Sequence, residues 1–182
     1  MVRVAFALVL LLVVGCRNVP PPVAQRANDI AVYFSPDGGA TDAIVAEIGQ
    51  AEQTLDVAAY SFTSAPIAGA VRNAHRRGVA VRVVLNRDQE RHRYSSGNFL
   101  ANAGIPVHVR VGDGVQHSKY MIIDGRTVIT GSFNFSRRAE ERNAENLLVL
   151  RRVDVAETYG GNFEAMLRSS RPFEDKRGGV SE

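Results

Sequence analysis

The chain of 182 residues has one cysteine and no tryptophan. A lone cysteine excludes an internal disulfide framework and any cysteine-based metal cluster. The histidines do not fill that gap, because none stands at ligand spacing from a second histidine or a carboxylate; neither a metal nor another cofactor is expected. Strong charge of one sign is also missing. The formal net charge is +3, a mild basic excess that tolerates a polyanion without requiring one. No internal repeat of domain-building length is present, which sets aside solenoids and propellers. What remains, with 45% hydrophobic and 23% charged residues, is the composition of one ordinary globular domain.

Long apolar runs are equally scarce. The exception is AFALVLLLVV, which follows Arg3 and is too short to cross a bilayer comfortably. It reads as a signal peptide over residues 1–15. The run Val13-Val14-Gly15-Cys16 resembles the bacterial lipobox, which implies cleavage before Cys16 and lipidation of its thiol. Residues 16–28, with Pro20, Pro21 and Pro22, read as an extended tether, since consecutive prolines block helix. The expectation is an exported, membrane-anchored lipoprotein facing the periplasm or the cell exterior.

From Asp29 onward, β-rich runs alternate with helical ones. IAVYF, TLDVAAYSF, VAVRVVL, IPVHVRV, KYMIID, TVITGSF and ENLLVLR read as strands. Helices are expected near Thr41 to Gln50, from Pro66 to Arg77 with Ser64 as cap, up to Gly104, and from Val153 to Arg168. This pattern predicts an α/β fold, a layered α/β/α domain over residues 29–170 with helices on both faces of a mixed sheet. Residues 171–182 read as a polar C-terminal tail.

The informative stretch runs from His117 to Phe135. A loop at Asp124-Gly125 sets His117 opposite Ser132; a loop at Gly125-Arg126 sets His117 opposite Asn134 and Lys119 opposite Ser132. Either register gathers His117, Lys119, Ser132 and Asn134 on one face, and parity turns Asp124 to the other. A histidine beside an ammonium, a hydroxyl and an amide is a nucleophile or base with three donors suited to phosphate oxygens.

H-x-K, four residues, Asp, six residues and Gly-Ser resembles the HKD motif of the phospholipase D superfamily. The stretches AYSFT, RRGVAVRVVL, AGIPV, QHSKYMIIDG, TVITGSFNFS and AEERNAENLLVL are similar to its small, single-motif bacterial endonucleases. The resemblance implies a metal-independent phosphodiesterase in which His117 forms a phosphohistidine, and Lys119 and Asn134 bind the phosphoryl oxygens. It places Ser132 in the same pocket and makes Glu145 the residue that orients the histidine ring; Asp124, the motif's third letter, reads as structural because parity turns it away from the pocket.

Such chemistry needs an attacker and an opposing acid, hence two histidines. The motif occurs once, and neither His75, His92 nor His108 precedes a lysine by two residues. A homodimer sharing one active site is therefore expected. Nucleic acid is the first substrate expectation, with Arg91 to Arg93 and Arg137-Arg138 available to track a backbone. Membrane phospholipid is the alternative, and an inactive membrane-tethered binding module a third.

Overall fold

The structure, a computed structural model, describes residues 29–176. The signal peptide, Cys16 and the tether lie outside the described residues. Chain order is β1 (Ile30–Ser35), α1 (Ala40–Gly49), β2 (Thr54–Ala59), α2 (Ala65–Arg76), β3 (Ala80–Leu85), a 3-10 turn (Arg87–Glu90), α3 (Gly97–Ala101), β4 (Val107–Arg110), β5 (Tyr120–Ile123), β6 (Thr127–Gly131), α4 (Arg137–Glu141), β7 (Glu145–Leu150), α5 (Val153–Arg168) and β8 (Ser170–Pro172). All eight strands join one sheet in the order β1-β7-β6-β5-β2-β3-β4-β8. β2, β3 and β4 run parallel, and the other neighbours pair antiparallel.

The layering follows from alternation along the strands. Val57, Val83, Met121, Ile123 and Ile129 join the residues of α1 and α2 in one core, while Ala58, Val84, Tyr120, Ile122 and Val128 pack beneath α5 in a second. Both faces of the central strands are thus covered, which is why β2 and β3 are apolar almost throughout. The expected α/β/α architecture is what the chain adopts. Ser64 does take the N-cap of α2, but its side chain makes no capping bond. Instead, the N–H groups of Thr63 and Ser64 both donate to the Phe135 carbonyl at 2.9 Å, tying the end of β2 to the chain beyond β6.

The C-terminal boundary differs from expectation. β8 pairs with β4, and the Phe173 N–H donates to Val107 O at 2.9 Å. Buried Glu90 receives Arg171 in a two-pronged bond at 2.6 and 2.8 Å, with Lys176 at 3.3 Å. Residues 171–176 are therefore part of the domain. A strand of three residues ending in proline has no alternation to reveal it, and a buried carboxylate 81 positions away holds it in place.

Candidate active site

The parallel strands β2 and β3 and the antiparallel β5 bring three chain segments to one edge of the sheet. The carboxyl ends of β2 and β3 meet the amino end of β5, the rim where ligands settle in open α/β sheets. There a cleft of about 790 Å³ is lined by His117, Lys119, Ser132, Asn134 and Glu145, among others. The four residues expected on one face, and Glu145 with them, do line one cleft.

The reason differs from the simple hairpin. Ile123 pairs with Thr127 and Tyr120 with Thr130, a register between the two expected ones. Asp124 and Gly125 carry the positive φ values of a primed turn, 51° and 60°, and Arg126 adds one further residue to the loop. In this register parity would set His117 and Lys119 on the face opposite Ser132 and Asn134. Residues 115–119, however, belong to no strand, and the chain before Tyr120 leaves the ladder and swings both side chains into the cleft.

Gln116 holds that departure. Its side chain is buried, accepting the Ser118 N–H at 2.6 Å and donating to Ser118 O at 3.1 Å, while its own N–H donates to Asn86 Oδ1 at 3.3 Å. His117 is left exposed to the cleft, with its ring 4.5 Å from that of Tyr60. Lys119 Nζ donates to His117 O at 2.7 Å, stands 3.4 and 3.5 Å from the two ring nitrogens, and lies 5.2 Å over the Tyr60 ring. Burial pushes its ammonium below the ordinary lysine range, with the Glu145 carboxylate pulling the other way. Tyr60, Asn86 and Gln116 were not among the expected site residues. The available signal was position: Tyr60 and Asn86 directly follow β2 and β3 on the rim the motif occupies, and Gln116 directly precedes His117.

Across the cleft, Phe133 and Phe135 are both 1% exposed and plug into the core, so Asn134 between them turns outward. Each buried ring contributes about 1.5–3 kcal/mol to holding that arrangement. The Asn134 amide makes no hydrogen bond among the described residues, and its Oδ1 is buried without a partner, an exception of the kind that concentrates at functional sites. Ser132 and Phe133 both bond Asn146, two residues against one, so the ribbon bulges. Gly131 permits this at φ 152°, since a Cβ there would meet the Asn146 carbonyl oxygen at 2.2 Å. Glu145 accepts from Ser132 Oγ at 2.6 Å and from Asn143 Nδ2 at 2.9 Å. The expected bond from Glu145 to the His117 ring is not among the described hydrogen bonds; the carboxylate accepts from Ser132 and Asn143 instead.

Asp124 sits at the far end of the hairpin, away from the cleft. Its buried carboxylate accepts the N–H groups of Glu52, Gln53 and Thr54 at 3.1, 2.8 and 2.9 Å. Burial pushes its pKa up, but those three donors and Arg126 outweigh it, and the net shift is downward. Asp124→Ala strands three donors and is expected to cost about 3 kcal/mol, or roughly 6–12 °C in Tm by calorimetry. With a depressed folded pKa, this stabilisation is present above the unfolded value near 3.9 and lost as pH falls through the folded one. The variant's deficit should therefore shrink in acid; a deficit that does not change with pH would mean the charge is not what holds the loop.

Among the described residues no three His, Cys, Asp or Glu side chains converge as a metal site, and no helix is long and apolar enough to cross a membrane. Residues 44–167 match the family model described as cardiolipin synthase, PLD-like domain. The chain belongs to the phospholipase D superfamily. It is 38% identical over 136 residues to the phospholipase D of Rickettsia conorii, covering 75% of this chain and 68% of that protein. It is 33% identical over 119 residues to the mitochondrial cardiolipin hydrolase of Chlamydomonas reinhardtii, covering 65% and 53%. The crystal structure of Nuc from Salmonella typhimurium, a phospholipase D family member, superposes with a TM-score of 0.76 at 34% identity, covering 80% of this chain and 97% of that one. As a superfamily member, the chain is a phosphodiesterase of the phospholipase D class.

Proposed function

We propose that this phosphodiesterase cleaves nucleic acid without sequence preference, as a homodimer, without a metal, and held at a membrane through lipidated Cys16 on the periplasmic or outer side. The observation that carries the substrate reading is the cleft wall. Its lining residues are His117, Ser118, Lys119, Thr130, Ser132, Asn134, Glu145 and other polar, glycine or tyrosine residues, with no aliphatic side chain among them. A sugar-phosphate backbone finds donors there, and the hollow directly around His117 and Lys119 offers an acyl chain no aliphatic side chain. Arg91 and Arg93 are exposed and in no ion pair among the described residues, whereas Arg137 is paired with Glu141 at 2.6 Å and is less available to a backbone.

In this reading an imidazole nitrogen of His117 attacks phosphorus as the bond to the departing oxygen breaks. That oxygen takes its proton from His117 of the partner subunit, which then deprotonates the water that releases the phosphohistidine. Lys119 and Asn134 bind the phosphoryl oxygens, and Ser132 is aligned by Glu145. The dimer is supported by an apolar row on β1: Ile30, Val32 and Phe34 are 58%, 51% and 66% exposed. The pairs Val32 to Leu148 and Leu148 to Thr130 set this row on the same sheet face as the cleft, where a second copy would cover it.

Phospholipid is the second reading, favoured by relatives named phospholipase D and cardiolipin hydrolase. Protein beginning at Gln25 is assayed with EDTA against plasmid DNA, single-stranded DNA, RNA and phospholipid vesicles. Cleavage of nucleic acid that survives EDTA and vanishes in His117→Ala is expected. Head-group release from vesicles alone would replace the nuclease reading with the phospholipase one.

A further inference from the structure

The cleft does not end at His117. A second hollow of about 390 Å³ is lined by Arg110, Val115 and Gln116 on one side and Ala165, Met166 and Ser169 on the other. It shares His117, Ser118 and Asn162 with the first, so the two form one groove with His117 at the junction. One face of α5 walls the whole length: Thr158, Tyr159 and Asn162 stand over the first hollow, and Ala165, Met166 and the residue after the helix, Ser169, over the second. From Thr158 to Ser169 the helix rise gives a groove of about 16 Å. That exceeds what one phosphodiester occupies, and a nucleic-acid strand carries a charge every ~3.4 Å of rise.

The extension contains one cation, Arg110, the last residue of β4. Its one described hydrogen bond, from Nη1 to Asp113 O, is 3.5 Å long, the outer limit for such a bond, and it has no ion pair among the described residues. Arginines on the neighbouring strands are committed by contrast. Arg82 on β3 is clamped by Asp56 at 2.7 and 2.7 Å, and Arg171 on β8 by Glu90 at 2.6 and 2.8 Å. Arg110 is a half-buried residue whose guanidinium keeps most of its five donors free beside a groove continuous with a phosphate site, which suits it to a second phosphate.

We propose that Arg110 forms a second phosphate subsite, holding a phosphodiester adjacent to the one attacked at His117. The assignment rests on the phosphodiesterase reading of the cleft and adds that the preferred substrate carries more than one phosphate. The ligand chemistry is a neighbouring phosphate, supplied by a nucleic-acid strand or by a lipid with two phosphates.

The test compares wild type, Arg110→Ala and Arg110→Lys on bis(4-nitrophenyl) phosphate, which has one diester, and on a short single-stranded oligodeoxynucleotide. Vesicles of phosphatidylcholine and of cardiolipin form a second pair, with one and two phosphates per lipid. In Arg110→Ala, kcat/KM on the oligonucleotide should fall about tenfold further than on the single diester, and the slope of its logarithm against log salt should flatten by about 0.7. Arg110→Lys should recover part of both. Equal losses on the one- and many-phosphate substrates, or an unchanged salt slope, would overturn the subsite. An inert oligonucleotide combined with a loss on cardiolipin exceeding that on phosphatidylcholine would keep the subsite and overturn the nuclease reading.

Discussion

His117→Ala is expected to lower kcat at least about ten-thousandfold, with EDTA present throughout, while substrate binding persists. The magnitude follows from what the substitution removes. A general base alone contributes typically 10²–10⁴ to a rate. In the proposed dimer the same substitution deletes both the attacking atom and the acid opposite it, so the loss should reach or exceed the top of that range. Binding persists because Lys119 Nζ is held by the His117 carbonyl, a backbone atom the substitution leaves in place. Asn134 is likewise fixed by Phe133 and Phe135, which lie in the core. Anisotropy of a labelled oligonucleotide on the variant checks that half of the statement, and steady-state turnover the other.

The second large effect concerns assembly. If each active site draws a histidine from both protomers, a mixed dimer of wild type and His117→Ala lacks either its attacker or its acid, whichever way the substrate lies. Wild type mixed with an equal amount of the variant, after subunit exchange, should give only about a quarter of the dimers active, half the activity per wild-type chain. A large excess of variant should silence wild type almost entirely. Phe34→Glu tests the same point from the surface. Phe34 is 66% exposed, so the fold should tolerate the change, yet two opposed carboxylates on the apolar row of β1 should separate the copies and remove activity together with the dimer. Activity per wild-type chain that ignores the variant, or a fully active Phe34→Glu monomer by sedimentation, would contradict the shared site.

The strands and the main helices were legible because burial imposes period. β2 and β3, covered on both faces, are apolar almost throughout, and α5 occupies the expected span from Val153 to Arg168. His117, Lys119, Ser132, Asn134 and Glu145 were legible as chemistry, and the cleft contains all five. Their geometry was less so. One extra loop residue, Arg126, shifts the hairpin register, and the side chains converge because buried Gln116 holds the chain off the ladder. Gln116 is itself held by Asn86, 30 positions away, and a single sequence does not display such a contact. Glu145 shows the same limit: the strand position was right, but its carboxylate is spent on Ser132 and Asn143 rather than on the histidine ring.

The proposed covalent bond between His117 and phosphorus is labile in acid, and trapping it in alkali is its direct test. Wild-type protein is mixed with substrate carrying a labelled phosphate, quenched in denaturant at alkaline pH within the first turnover, digested, and mapped by mass spectrometry. An adduct of phosphorus that still bears one ester arm of the substrate should appear on the peptide containing His117 within one turnover, decay as product forms, and be absent from His117→Ala. An adduct on any other residue, or product forming in the first turnover with none on His117, would contradict it.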